Sequence, residues 1–199
     1  CTAGKYFRSW AADLDRERFE VFVYYTGHVT DDFSRALGQS VEHYRRILDA
    51  PVRVADAVLA DGKDILVFPD VGMDTAGYLL SGMRLAPVQC AGWGHPVTTG
   101  QANVDHFLSC DAMEPPGAQA HYTERLVRLP GIGTRYARPG PASAKSRREL
   151  GLPEAGPLFL CPQSLFKIHP DNDALFARIL AAEPDARLVF FRDHDDPLT

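Results

Sequence analysis

The chain has 199 residues, of which 45% are hydrophobic and 24% charged, with a formal net charge of −5. That is enough apolar material for one large domain or two small ones, and too much for a disordered segment. The acidic balance offers no general attraction for nucleic acid, no apolar run reaches the roughly 20 residues of a membrane-spanning helix, and a soluble chain is the expectation.

In chain order, strand-like apolar runs fall at residues 19–25, 64–70, 87–93, 104–110, 125–130, 157–162 and 187–192. Helix-like segments at 5–13, 31–37, 53–61, 76–83 and 171–182 separate many of them. Strands alternating with helices predict a parallel, doubly wound α/β sheet. Several runs, such as DILVF and PLFLC, are almost unbroken, which predicts strands buried on both faces. The last helix carries Leu175, Phe176, Ile179 and Leu180 on one stripe, with Asp171 and Asp173 near its N-terminus, where the helix dipole favours acids.

Between 136 and 152 the composition turns to Pro, Gly, Ser and basic residues, reading as an exposed linker followed by a short helix and a turn. A domain boundary is placed near Gly140, giving domains 1–140 and 141–199. The second holds about one βαβ element, whereas sheets usually have roughly four to six strands. It is expected to be the opening of a second α/β domain in a longer protein. The four cysteines, Cys1, Cys90, Cys110 and Cys161, form no CxxC pair and lie near no His cluster at ligand spacing, so no metal site is expected. Core packing is the expected role of the last three, and a reducing, cytoplasmic compartment suits them.

Two loops carry the candidate chemistry. Residues 84–100, RLAPVQCAGWGHPVTTG, run from a strand into Gly94, His95, Pro96, Thr98 and Thr99. A loop after a strand is where α/β proteins build ligand sites. Gly94 would admit close backbone approach, Pro96 would stiffen the turn, and the threonines offer hydroxyls and amides. An ordinary connection with a threonine cap is the plain alternative. His95 is the most useful ionisable group there, as a hydrogen-bonding partner or base, or else as a ring that orders the loop. Asp70 and Asp74, after the 64–70 strand, are ligand-facing candidates or turn formers. The second loop, CPQSLFKIHPDND, leaves a strand and enters a helix. Lys167 before a helix N-terminus would suit an anionic diphosphate, although most loop lysines are simply solvated.

The wording of these loops resembles glycosyltransferase family 41, which contains the protein O-GlcNAc transferases, the SPINDLY proteins and bacterial N-glucosyltransferases that modify adhesins. The family's R-P-A-P-x-Q and G-Y/H-P-x-T-S/T segments are matched by Arg84, Ala86, Pro87 and Gln89, then Gly94, His95, Pro96, Thr98 and Thr99. Its N-Q-x-Y-K-I-D/N-P segment is matched in part by Phe166, Lys167, Ile168 and Pro170, with Gln163 and Ser164 at the amide pair and His169 in place of an acid or amide. The likeness extends over most of the chain, from KYFRSW to the Lys167 segment. It implies a GT-B architecture: a Rossmann-like N-terminal catalytic domain, then a second Rossmann-like domain that binds the nucleotide sugar, with the active site in the cleft between such domains.

The resemblance further implies inverting transfer of a hexose or N-acetylhexosamine from a UDP-sugar to a protein or peptide side chain, without metal or other cofactor. His95 and Lys167 are the implied catalytic residues. Gly94, Pro96, Thr98, Thr99, Gln163 and Lys167 are the implied donor-binding residues. Tetratricopeptide repeats are expected upstream. At two places the chain departs from the pattern. Cys1-Thr2-Ala3-Gly4 stands where the family usually has a His, and Val71-Gly72-Met73-Asp74 is closer to the N-glucosyltransferases. Three alternatives therefore stand beside the O-GlcNAc transferase reading: a UDP-glucose-dependent protein N-glucosyltransferase, a catalytically inactive α/β binding module, and a GT-B enzyme acting on small metabolites.

Overall fold

Wherever two strands of this chain meet, they run in parallel, as βα alternation demands. The structure, a computed structural model, describes residues 2–48, 50–136, 138, 140–142 and 144–191. The chain divides into two compact units, Cys1–Arg138 and Pro139–Thr199. Cys1 and residues 192–199 lie outside the described residues.

The first unit runs α1 (Thr2–Ala12), β1 (Phe22–Tyr25), α2 (Asp32–Gly38), β2 (His43–Arg46), α3 (Pro51–Asp61), β3 (Ile65–Phe68), α4 (Thr75–Ser81), β4 (Val88–Gly92), β5 (His106–Cys110) and β6 (Arg125–Leu129). Its strands form two hydrogen-bonded sheets rather than one: a β1-β2 pair and a four-stranded sheet in the order β3-β4-β5-β6. Local chemistry sets the helix ends. Asp31 and Ser34 form a reciprocal capping box at α2, with bonds of 2.8 and 2.9 Å. Pro51 opens α3, and Gly62 closes it at φ 60°, a left-handed conformation that suits glycine. Asp74 caps α4 by accepting the Gly77 amide at 2.7 Å, so this acid is a helix former.

Helical spacing puts Val54, Ala55 and Val58 on the inner face of α3. They are buried with Leu80 and Leu85 against Tyr24, Ile47, Leu66 and Phe68. A second cluster, Val71, Ala91, Val104 and Phe107, packs against Phe68, Trp93, Tyr122 and Leu126. Phe68 thus belongs to both. Burial on two faces is confined mainly to β4 and β5, whereas β3 exposes Ile65 and Val67. Burying each large apolar side chain contributes about 1.5–3 kcal/mol.

The second unit is one βαβ element. β7 (Leu158–Ser164) pairs in parallel with β8 (Arg187–Phe191), and α5 (Asp173–Ala182) lies between them in sequence. Phe176 meets Phe190 edge-on at 5.4 Å between ring centroids. No residue of α5 is fully buried. In place of the short helix expected after the linker there are hydrogen-bonded turns, Leu150 N–H to Ser146 O and Gly151 N–H to Arg148 O. Strand β2 was not expected from the sequence.

Candidate functional site

The loop that leaves β4 is held against the loop that leaves β3. The Gly94 amide donates to the Pro69 carbonyl at 2.9 Å. A Cβ on Gly94 would stand 2.6 Å from that oxygen and 2.7 Å from Asp70 Cβ. Gly94 therefore permits close packing between two loops, a different use from the backbone approach to a ligand that the sequence suggested. Gly72 is the counterpart. Its φ is 98°, and a Cβ there would fall 2.8 Å from His95 Cδ2, so the His95 ring lies directly over Gly72. The half-buried ring makes no hydrogen bond among the described residues, which leaves both nitrogens unused.

Asp70 sits just beyond β3, half-buried and without a side-chain hydrogen bond or ion pair among the described residues. Burial, and then the nearby charge of Asp74, push its carboxyl above the usual range. A half-buried carboxyl at a strand exit marks a position to test for function.

The two threonines of the loop are committed elsewhere. Thr98 Oγ1 donates to Glu124 Oε2 at 2.7 Å. The Thr99 amide donates to Glu124 Oε1 at 2.8 Å, and the Thr99 hydroxyl bonds the same oxygen. Glu124 precedes β6, where that strand enters the sheet, whereas His95 lies where β3 and β4 leave it. Glu124 was not singled out from the sequence. Its only signal was an acid beside Thr123 at the mouth of an apolar strand.

Beneath the loop lies a cavity of about 140 Å³ lined by Trp93, Pro96, Phe107, Ser109, Met113, Glu114 and Tyr122. Ser109 and Tyr122 hydroxyls both donate to Glu114 Oε1, at 2.6 and 2.7 Å. Burial, and the bond to Glu114, push the Tyr122 phenol up to about 12. The indole Nε1 of Trp93 is buried without a partner among the described residues.

In the second unit, Gln163 stands on the exposed end of β7, its side-chain oxygen accepting the Ser164 amide at 3.3 Å. Lys167 closes a 3₁₀ turn, Leu165–Lys167, and is exposed, with Nζ 5.7 Å from the Phe166 ring centroid. The first amides of α5 do not follow it directly. His169 caps a further 3₁₀ turn, Pro170–Asn172, by accepting the Asp171 amide at 3.3 Å, and α5 begins only at Asp173. No group of three or more His, Cys, Asp or Glu among the described residues could hold a metal ion. No helix among them is long and apolar enough to cross a membrane.

No family model matches the chain. It is 35% identical over 139 residues to the probable UDP-N-acetylglucosamine–peptide N-acetylglucosaminyltransferase SPINDLY of Arabidopsis thaliana, an alignment covering 69% of this chain and 15% of the relative. The probable enzyme of the same description named SEC, also from Arabidopsis thaliana, is 27% identical over 190 residues, 89% of this chain and 19% of its own. A UDP-glucose:protein N-beta-glucosyltransferase of Actinobacillus pleuropneumoniae is 35% identical over 71 residues, 36% of this chain and 11% of its own. The chain therefore spans less than a fifth of the length of these relatives. A solved structure of an O-GlcNAc transferase mutant from Thermobaculum terrenum superposes with a TM-score of 0.81 at 28% identity, covering 98% of this chain and 37% of that one. With an α/β fold of GT-B type and kinship to both branches, this chain belongs to the glycosyltransferase family 41-like proteins.

Proposed function

We propose that this chain is part of a glycosyltransferase that moves a sugar from a UDP-sugar to a protein or peptide side chain with inversion and without a metal ion. Residues 1–140 are its first Rossmann-like domain, and 141–199 are the linker and opening of its nucleotide-sugar-binding domain. The observation that carries this reading is the likeness to an O-GlcNAc transferase over 98% of the chain.

In the proposed reaction, the acceptor oxygen or nitrogen attacks the anomeric carbon opposite the leaving group. The bond from that carbon to the diphosphate oxygen breaks, and its electron pair leaves with UDP. Two things must be stabilised: charge growing on the diphosphate and a proton leaving the acceptor. Lys167 supplies a cation for the first, and such a charge contributes most when it meets negative charge where it develops. Gln163 adds an amide to the same donor side. His95, with both ring nitrogens unused, takes or shares the proton. Gly94, Pro96, Thr98 and Thr99 shape the loop that presents it. Tetratricopeptide repeats upstream would deliver acceptor proteins, and unpaired Cys90, Cys110 and Cys161 suit the cytoplasm.

A second reading, a UDP-glucose-dependent protein N-glucosyltransferase, is favoured by Gly72-Met73-Asp74, by Gly94-His95-Pro96 and by the 35% identity to the N-beta-glucosyltransferase. Calorimetry of the full-length protein with UDP, UDP-N-acetylglucosamine and UDP-glucose, followed by transfer assays on peptides, separates the readings. Tighter binding and transfer of one sugar selects between the enzymes. Binding of none of the three would overturn the glycosyltransferase assignment and leave an inactive binding module.

A further inference from the structure

Glu124 is 3% exposed, and a carboxylate so deeply placed needs a full set of partners. Oε1 accepts the amide and the hydroxyl of Thr99. Oε2 accepts the hydroxyls of Thr98 at 2.7 Å and Thr123 at 3.2 Å. Its backbone carbonyl accepts Gln119 Nε2 at 2.9 Å, and the other atom of that amide accepts the Leu126 N–H at 2.8 Å. Burial alone would raise this carboxyl, yet the bonds from Thr99 and Thr98 outweigh it and hold the group below the usual range. It is therefore an anion at neutral pH.

The consequence falls on the loop rather than on Glu124 itself. One end of the loop is fixed by Gly94 to Pro69. The other is fixed by Thr98 and Thr99 to the residue just before β6, a strand paired with β5 from His106↔Arg125 to Cys110↔Leu129. Only His95, Pro96 and Val97 lie between the two anchors, and Pro96 has its φ set by the ring. A segment so short with both ends fixed has little freedom.

We propose that Glu124 is a positioning residue of the site: it fixes where His95 stands, and the Thr98 and Thr99 hydroxyls are spent on that task rather than on the sugar. The functional half of this rests on the reading of the loop given above; the structural half does not.

The test uses the full-length protein with Glu124→Ala, Glu124→Gln and Thr98→Val, read by hydrogen exchange and by sugar transfer. Gln can still accept the Thr99 amide with its oxygen and donate to the Thr98 and Thr123 hydroxyls, so it should restore most of what Ala loses. In Glu124→Ala, peptides covering 94–100 should exchange faster while those from β4 and β5 keep their protection. Turnover should fall by about 10²-fold, the cost of a 1 Å misplacement, and His95→Ala added to Glu124→Ala should cost little more. Thr98→Val should shift exchange and turnover in the same direction, and it carries the test if Glu124→Ala does not fold. Unchanged exchange at 94–100 overturns the anchor. Faster exchange there with normal turnover, or losses that multiply with those of His95→Ala, overturns the positioning role. A full-length protein that transfers no sugar refutes the enzyme reading, while exchange still decides the anchor.

Discussion

Arg84 and Asp105 grip each other through two N–H···O bonds, Nη1 to Oδ2 at 2.6 Å and Nη2 to Oδ1 at 3.0 Å. Asp105 also accepts the Gln89 amide at 2.7 Å. Two residues of the signature that resembles the family, Arg84 and Gln89, thus meet on one carboxylate at the edge where β5 enters the sheet. Their work is architectural.

The Asp105 carboxyl is held below its usual range, first by the Arg84 bond and then by the Gln89 amide. Unfolded, it would titrate near 3.9 or so. A depressed folded value means that its stabilising contribution is complete above the unfolded value and is lost as pH falls through the folded one. The stability difference between wild type and Asp105→Asn should therefore be constant from neutral pH down to about 5 and shrink below about 4. Urea titrations at a series of pH values measure it, and a difference that grows on acidification contradicts the assignment.

Gln89 is fully buried. Its oxygen accepts the Leu85 amide at 2.8 Å, and its nitrogen donates to Met83 O at 2.9 Å and Asn103 O at 2.6 Å. Gln89→Leu keeps the bulk and strands three backbone groups. The expected loss is about 2–5 kcal/mol, from unsatisfied buried polar groups, read as a lowered midpoint in chemical denaturation. A loss under about 0.5 kcal/mol, typical of unimportant surface changes, would show that water replaces the amide.

Gly72→Ala forces a side chain into a left-handed φ and into the His95 ring. Strain of this kind costs about 1–3 kcal/mol, and the imidazole must move. We expect a folded protein with reduced kcat and a smaller change in donor KM. Unaltered kcat would separate the ring from the chemistry.

Lys167→Ala in the full-length protein should lower kcat by about 10²–10³-fold, as loss of one preorganised charge-stabilising group does. Turnover should be insensitive to EDTA in both forms. Turnover within a few-fold of wild type would remove Lys167 from the leaving-group role, and loss of activity on chelation would refute the metal-free mechanism.

The apolar runs that became β3 to β6 were legible because each packs largely against neighbours close in sequence. The four residues of β2, His43 to Arg46, hid from the same reading. Arg45 reaches Asp61 at 2.5 Å and Arg46 reaches the His28 carbonyl at 2.5 Å, so charge masks a strand whose Tyr44 stacks on Tyr25. The Gly94–His95–Pro96 loop was visible as a motif, but the work of its threonines was not, because Glu124 lies far along the chain. The turn interposed between Lys167 and α5 was equally hidden: Pro170 reads as a helix start whether a 3₁₀ or an α turn follows.

Trp93 opens the loop with its ring 4.8 Å from Phe7 and 6.0 Å from Tyr6. The chain has 2 tryptophans, and the other, Trp10, is tethered through its Nε1 to the Gly133 carbonyl at 2.7 Å. With Trp10→Phe silencing that second emitter, the indole two residues ahead of His95 becomes this unit's own lamp, its colour and brightness reporting the loop's movements without any attached dye.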